Sequence, residues 1–183
     1  MIKTFNNYTL DELTSSGITV GENVAVSSDV IFHNPENITI GDNTRIDSQC
    51  LLIAGTNKKI IIGKNVHISA GCYFYGGGGD IIIEDFAGTS SRVTLYTSTD
   101  DYIRGYMTNP TVDIKYRKVT DGNIKLKKHT IVGASTVILP GVTLEKGTSV
   151  GAMSLVNKST SEFDLVVGIP AKFKIKRKNK YLT

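Results

Sequence analysis

An aliphatic side chain returns at every sixth position near the C-terminal end of this 183-residue chain. These aliphatic positions are Leu126, Val132, Ile138, Leu144, Val150 and Val156, and the residues four places after the first five are Thr130, Thr136, Val142, Thr148 and Ser154. A spacing of six fits neither the helical turn nor the alternation of a strand. It fits a short extended segment that turns a corner and repeats, so that three segments close one triangular coil. The aliphatic residue then points into a prism, the small residue fits the corner, and stacked coils pair in parallel.

The same spacing occurs in four earlier segments, and each segment supplies one coil. Their predicted inward positions are Val20, Val26 and Phe32; Ile40, Ile46 and Leu52; Ile62, Ile68 and Phe74; and Ile83, Thr89 and Leu95. Together with the coils that start at Leu126 and Leu144, they predict about six coils. Cys50 and Cys72 both fall at corner positions, where a small buried thiol packs well.

Composition indicates one soluble globular domain, since 40% of the residues are hydrophobic and 21% are charged. No apolar run is long enough to span a bilayer, and the N-terminus has no signal-peptide pattern. Two cysteines are too few for a disulfide framework, so we expect a reduced, cytoplasmic protein. The net charge is +4, and basic residues concentrate between positions 172 and 180. That tail suits a phosphorylated small molecule, nucleic acid or a membrane surface, or is simply solvated.

Two stretches interrupt the repeat. The first stretch, residues 1–17, predicts a short helix that caps the prism. Thr9 is its N-cap, Glu12 is the capping-box partner and Gly17 ends it. The second is a loop that leaves a corner, and long insertions in a regular scaffold are often functional. The expected divisions are a helical cap, a prism in two parts, an acceptor-binding loop and a C-terminal segment, over residues 1–17, 18–99 and 124–158, 100–123, and 159–183.

Three further features make the chain resemble the hexapeptide-repeat acyltransferases. Pro140-Gly141 follows an aliphatic pair in ILPGVTLEKGTSVGAMSLV, and VVGIPAKFKIKR is similar to the family's terminal V-x-G-N-P-A-K segment, with Ile169 where Asn is usual. The loop after Leu95 falls where sugar acetyltransferases bind their acceptor. The resemblance implies an all-β, left-handed parallel β-helix that forms homotrimers with active sites between subunits. It is closest to the branch that modifies nucleotide-linked sugars for surface polysaccharides such as lipopolysaccharide, with no nucleic-acid or integral membrane partner.

The resemblance also assigns residues to the acyl donor, acetyl-CoA. Small residues of the late coils would let the pantetheine arm approach the backbone, and one N–H there would bind the thioester oxygen. This role falls on Gly133, Ala134, Ser135, Gly151 and Ala152. Pro170 and Ala171 would flank the adenine, and Lys172 and Arg177 would meet the CoA phosphates. The alternative is that every corner of such a prism needs small residues and that the basic end is only solvated.

The acceptor side departs from the family pattern. Sugar O-acetyltransferases of this kind carry a catalytic histidine on the loop, and Asp100 stands at that position here, followed by Asp101. A neutral sugar amine needs no proton removed before it attacks, so these carboxylates would suffice to orient an amine. Alternatively, the two aspartates only form the turn that opens the loop. The residues expected to bind the nucleotide sugar are Arg92, Tyr96, Tyr102, Tyr106, Asn109 and Tyr116.

Three functions are therefore compatible with the sequence. The favoured one is an acyl-CoA-dependent N-acyltransferase acting on a nucleotide-linked amino sugar. An O-acetyltransferase and a non-catalytic trimeric scaffold are the alternatives. A carbonic anhydrase is disfavoured because His33, His67 and His129 do not have the spacing of metal ligands, and no metal site is expected.

Overall fold

A computed structural model describes residues 6–178 and residue 180 of the chain. It confirms an all-β prism of stacked triangular coils, each built from three short strands. Coil by coil the strands are β1 (Thr19–Val20), β2 (Ala25–Val26), β3 (Ile31–His33); β4 (Ile38–Ile40), β5 (Arg45–Ile46), β6 (Leu51–Ala54); β7 (Ile60–Ile62), β8 (His67–Ile68), β9 (Tyr73–Gly76); β10 (Ile81–Ile83), β11 (Gly88–Thr89), β12 (Thr94–Tyr96); then, after β13 (Ser98–Asp100) and β14 (Val119–Asp121), β15 (Ile124–Leu126), β16 (Ile131–Val132), β17 (Val137–Ile138); β18 (Thr143–Leu144), β19 (Ser149–Val150), β20 (Leu155–Val156); and finally β21 (Asp164–Val167) and β22 (Lys172–Lys176).

Equivalent strands of successive coils pair in parallel and form three sheets, which we call the first, second and third faces. The first face contains β1, β4, β7, β10, β15 and β18, the second contains β2, β5, β8, β11, β16, β19 and β21, and the third contains β3, β6, β9, β12, β17 and β20. The first edge joins the first and second faces, the second edge joins the second and third, and the third edge joins the third to the first of the next coil. These edges position the small residues of the late coils and the base of the long loop.

The predicted inward residues form the core of the prism. All of them are buried except Val20 and Phe32 of the first coil, which are half-buried. Four strands of the first face, β4, β7, β10 and β15, each bury a second residue that the six-residue pattern did not predict. These residues are Ile38, Ile60, Ile81 and Ile124. Each fully buried isoleucine stabilises the fold by roughly 1.5–3 kcal/mol relative to an exposed one. The core therefore runs continuously along the prism axis.

Corner residues are held by hydrogen bonds to the next coil. The Thr44 hydroxyl donates to the carbonyl of Gly63 at 2.8 Å. Both cysteines are buried, as predicted, and their thiols donate to the carbonyls of Ser69 and Ser90, each at 3.3 Å. Corner side chains are thus small because they must fit beside the backbone of the neighbouring coil.

The two ends of the prism differ. At the first end, helix α1 (Leu10–Ser15) has the predicted capping box between Thr9 and Glu12, and it buries Leu13 against the core. At the other end the repeat does not end at Val156 as expected. β21 pairs in parallel with β19 as part of a seventh, incomplete turn, and β22 pairs antiparallel with β21. Two 3-10 turns (Pro35–Asn37 and Ile114–Tyr116) complete the secondary structure assigned within the described chain.

The long loop leaves the prism at the third edge, between β12 and β15. Its base is an antiparallel ribbon of β13 and β14, in which Ser98 faces Asp121 and Asp100 faces Val119. The ribbon thus begins at Ser98, two residues before the expected boundary. In the part of the chain that the structure describes, we find no helix long and apolar enough to cross a bilayer.

Candidate active site

The small residues predicted to bind the acyl donor lie together on the second edge. Ser135 N donates to the carbonyl of Ser91 one coil below, at 2.9 Å, and Met153 N donates to the carbonyl of Ala134, at 2.8 Å. These bonds stack Gly133–Ser135 above the turn that contains Arg92, and Gly151–Ala152 above Gly133–Ser135. The edge is therefore one continuous column of small residues that crosses three coils.

Part of that smallness is required by the fold itself. A Cβ atom added to Gly133 would lie 2.5 Å from the nitrogen of Ala152, and one added to Gly151 would lie 2.7 Å from the Val167 side chain. The two alanines are different, because the N–H groups of Ala134 and Ala152 donate to no backbone carbonyl within the described chain. Ala152 is exposed and Ala134 is half-buried. Both amides therefore remain able to bind a ligand oxygen.

The C-terminal residues expected to bind the donor fall into two separate places. Pro170, Ala171 and Lys172 line a cavity of about 400 Å³ at the end of the prism, and Ala171 N donates to the carbonyl of Leu155. Arg177 lies elsewhere, on the second face. Its Nη1 donates to the carbonyl of His129 at 3.1 Å and to that of Gly147 at 3.2 Å. One subunit therefore does not bring Arg177 beside Lys172.

Asp100 and Asp101 have different surroundings at the base of the loop. Asp100 is half-buried, and its Oδ2 accepts the N–H of Asn109 at 3.2 Å. Asp101 accepts the N–H groups of Arg104 and Tyr106 on Oδ2, at 2.8 and 3.2 Å, and that of Ile103 on Oδ1. Asp101 thus shapes the turn that opens the loop, whereas Oδ1 of Asp100 has no hydrogen-bond partner within the described chain.

The electrostatics of Asp101 follow from these contacts. Desolvation raises the pKa of Asp101, but the N–H groups of Tyr106, Arg104 and Ile103 outweigh it and hold the pKa below the usual range. An ionised carboxylate that already accepts three backbone hydrogen bonds is a poor proton acceptor. Of the two aspartates, Asp100 is therefore the better placed to contact a substrate amine.

Of the other residues expected to bind the acceptor, Arg92 lies on the second edge, away from the loop, whereas the remaining five lie on or beside the loop. Tyr96 stacks on Tyr75 of the coil below, with ring centroids 4.9 Å apart and planes inclined by 3°. Tyr102, Tyr106 and Tyr116 are exposed, and Tyr102 reaches 87% exposure. The Asn109 side chain accepts hydrogen bonds from the N–H and the hydroxyl of Thr111. These rings present aromatic faces to solvent on the third face and along the loop.

The loop and the small residues expected to bind the donor lie on different edges of the prism. The third face separates them, because the chain runs from Arg92 through β12 to Thr97 before the ribbon begins. At about 3.3 Å per residue, those five steps span roughly 16 Å. A single prism therefore does not place Asp100 against the column of small residues.

None of the three histidines lies on the loop. On the second face, His67 Nε2 lies 2.9 Å from Asp47 Oδ2. The ring of His129 stacks on that of Phe86, with centroids 5.2 Å apart. Burial lowers the pKa of His129, and the neighbouring charges of Lys146, Lys128 and Arg177 lower it further. Over the described ranges, no group of three or more His, Cys, Asp or Glu side chains is arranged to hold a metal ion.

Two residues of interest had no signal in the sequence. Ser90 lines a cavity of about 380 Å³ on the second face and precedes the turn that holds Arg92. Arg117 lies on the loop, half-buried, with its Nε shielded from solvent and without a hydrogen-bond partner. Neither residue belongs to the hexad pattern, and only three-dimensional contacts distinguish them from other serines and arginines.

Comparison with known proteins identifies a close set of relatives. The chain is 39% identical over 163 residues to the dTDP-4-amino-4,6-dideoxy-D-glucose acyltransferase of Escherichia coli, covering 89% of this chain and 84% of that protein. It is 34% identical over 134 residues to a putative acetyltransferase of Staphylococcus aureus, of which the match covers 62%. No family model matches the chain.

Solved structures extend the likeness to almost the whole length. AntD, an N-acyltransferase from Bacillus cereus in complex with dTDP and coenzyme A, has a TM-score of 0.91 and 38% identity, over 97% of this chain and 94% of that one. AntD has also been solved with dTDP-4-amino-4,6-dideoxyglucose and coenzyme A, and with 3-hydroxybutyryl-CoA. The sialic-acid polymer acetyltransferase NeuO, at a TM-score of 0.58 and 24% identity, shares the fold alone.

Proposed function

Because the chain belongs to the acyltransferase family that includes the E. coli dTDP-4-amino-4,6-dideoxy-D-glucose acyltransferase, we propose that it acylates the amino group of a nucleotide-linked amino sugar. The donor is acyl-CoA, and the finer proposal for the acceptor is a dTDP-linked 4-amino-4,6-dideoxy sugar. AntD supports this choice, since it has been solved with such a sugar and coenzyme A.

The observation that supports the proposal most strongly is that the loop contains the Asp100 carboxylate and no histidine. The AntD structures include variants with one aspartate or one serine substituted, and these two residues are ten positions apart in AntD. In this chain Ser90 and Asp100, and also Ser91 and Asp101, have that spacing. The contacts of Asp101 with the loop backbone favour the Ser90–Asp100 pair. AntD variants without that aspartate still hold dTDP and coenzyme A, which supports a role for Asp100 beyond ligand binding.

The chemistry assigned to these residues is acyl transfer to a neutral amine. The amine nitrogen attacks the thioester carbonyl carbon, the carbon–sulfur bond breaks, and an amide and CoA thiolate form. The proton released by the nitrogen ends on the thiolate, which leaves as the thiol. Asp100 accepts one N–H of the amine and orients its lone pair. The N–H of Ala134 or Ala152 donates to the thioester oxygen as negative charge develops there.

This chemistry requires a cleft between subunits, and we propose a homotrimer. The second edge carries the donor residues and the third edge carries the loop, so two neighbouring prisms are needed to bring them together. The third face supports such packing, because its outward side chains include Ile31, Tyr73 and Tyr96, which are substantially exposed in the isolated chain. Their burial against a second copy would cover an apolar surface and close the site.

The setting of the reaction is also part of the proposal. Both cysteines are unpaired and buried, which is compatible with a reducing cytoplasm. The product, an N-acylated nucleotide sugar, suits a later glycosyl transfer into a surface polysaccharide. Acetyl is the acyl group expected from the sequence, and a 3-hydroxyacyl group is the alternative that AntD suggests.

The test is release of CoA thiol with a panel of nucleotide-linked sugars. We expect turnover with the dTDP-linked 4-amino sugar and none with its 4-hydroxy counterpart, using acetyl-CoA and 3-hydroxybutyryl-CoA as separate donors. Turnover restricted to the hydroxyl sugars would replace the proposal by an O-acetyltransferase. Absence of turnover together with absence of CoA binding in calorimetry would favour a non-catalytic scaffold.

A further inference from the structure

Arg117 is a cation without a counterion on the loop. Its side chain is half-buried, and its Nε is shielded from solvent with no hydrogen-bond partner. Within the described chain no carboxylate lies within ion-pair distance of its guanidinium. A buried donor left unsatisfied costs free energy, so native proteins almost always supply a partner from the protein, from water or from a ligand.

Three of the four carboxylates on the loop are engaged by other groups, and the fourth, Asp100, accepts the N–H of Asn109 and makes no ion pair with Arg117. Asp101 accepts three backbone N–H groups, and Asp121 accepts the hydroxyl of Ser98 at 2.7 Å. Asp113 lies 3.5 Å from the ammonium group of Lys115. Among the described loop residues, Lys115 is the cation with an acidic partner, and the side chains of Arg104, Arg117 and Lys118 make no ion pair. The loop contains four acidic and four basic side chains, but three of its cations have no carboxylate partner within the described chain.

The backbone that carries Arg117 is fixed. Arg117 N donates to the carbonyl of Ile114 at 3.2 Å, and the Met107 N–H donates to the carbonyl of Tyr116 at 3.0 Å. Beside it, the Lys118 ammonium lies 5.7 Å from the centroid of the Tyr106 ring. The guanidinium of Arg117 thus extends from an ordered turn. The next residue, Lys118, is a second cation without a carboxylate partner, and it lies beside the exposed ring of Tyr106. A planar guanidinium presents paired donors that match the oxygens of a phosphate.

We infer that Arg117 binds the diphosphate of the nucleotide-sugar acceptor, with Lys118 as a second contact. This inference rests on the proposed function. Acyl-CoA also contains a diphosphate, but the donor residues lie on the second edge in the late coils, while Arg117 lies on the loop at the third edge. The position of Arg117 therefore favours the diphosphate of the nucleotide sugar, because the amine of that substrate is proposed to contact Asp100 at the base of the same loop.

The experiment compares Arg117→Gln, Arg117→Lys and the matched control Lys115→Gln in the full-length protein. Binding of dTDP, deoxythymidine and CoA is measured by calorimetry, and KM is measured for both substrates. We expect Arg117→Gln to weaken dTDP binding on the order of 10- to 100-fold, the loss typical of a hydrogen bond to a charged group. Deoxythymidine and CoA should bind as before. Arg117→Lys should recover part of the loss, because it keeps the charge without the fork. Lys115→Gln should match the wild type.

Four outcomes would overturn the inference. Unchanged dTDP binding in Arg117→Gln, with wild-type turnover of the amino sugar intact, refutes it and leaves the proposed function standing. Equal loss of CoA and dTDP binding would place Arg117 in a shared or structural role. Dissociation of the oligomer in Arg117→Gln, measured by light scattering, would assign its partner to a second copy of the chain. A wild-type protein that neither binds dTDP nor acylates an amino sugar refutes both proposals.

Discussion

Replacing Asp100 by asparagine tests whether this carboxylate orients the amine or removes its proton. The change is nearly isosteric, and the amide oxygen of asparagine can still accept the N–H of Asn109, which lies 3.2 Å from Oδ2 in the native loop. The loop should therefore keep its shape. What the variant loses is the charged oxygen that is free for substrate, because the NH2 group of asparagine takes its place.

The magnitude follows from that loss. A hydrogen bond to a charged group contributes about 1.5–3 kcal/mol. Its loss from the transition state should lower kcat roughly 10- to 150-fold. Loss of an obligatory general base would cost roughly 100- to 10,000-fold. A fall above about 1,000-fold therefore distinguishes the general-base role from the orienting role.

The assay is thiol release at saturating acyl-CoA, with the concentration of the nucleotide amino sugar varied up to saturation, over a range of pH. If Asp100 orients the amine, kcat/KM should rise with pH as the acceptor amine loses its proton, in the variant as in the wild type. A fall in kcat of more than about 1,000-fold, in a folded oligomer that still binds dTDP and CoA, would refute the orienting role. Asp100→Ala is the companion variant, and it should lose more because it also removes the contact with Asn109.

Three further predictions concern stability and the shape of the loop. Phe74→Ala should lower the free energy of unfolding by about 3–5 kcal/mol in chemical denaturation, because this ring is fully buried in the core; a loss below about 1 kcal/mol would mean that the coils collapse around the gap. Gly133→Ala should lower it by about 1–3 kcal/mol, since the new Cβ would lie 2.5 Å from the nitrogen of Ala152. Gly77→Ala, where an added Cβ meets nothing within 4 Å, is its control, and equal effects of the two changes would contradict the stacking argument. The pKa of Asp101 is lowered in the fold, so its bonds to the loop persist above the ordinary carboxyl pKa of about 3.9 and are lost as pH falls through the lower folded value. In the wild type, the loop amides should accordingly keep the same protection from hydrogen exchange between about pH 5 and pH 7. In Asp101→Asn their protection should fall, and equal protection in that variant would refute the role assigned to the carboxylate.

The sequence predicted the prism because a hexad is a local pattern. Every sixth residue must be inward, whatever surrounds it, and Ile68 and Leu95 could be assigned in this way without knowledge of the rest of the chain. The capping box of α1 was readable for the same reason, since its two residues are three positions apart. The pattern weakened where coils deviate from it, and the seventh turn around Val166 was missed.

The loop depended on the tertiary structure. Residues 98–121 have no period, so their sequence does not show that β13 and β14 form a ribbon or that Asp101 is tied to the backbone while Asp100 keeps an oxygen free. The lack of a counterion for Arg117 is likewise a property of its surroundings. Hydrophobic spacing thus determined the scaffold, because burial repeats with every coil, while the residues expected to bind the donor came from a family resemblance and stay a prediction. The contacts within the loop were decided only in three dimensions, since polar contacts between distant residues leave no regular trace in the sequence.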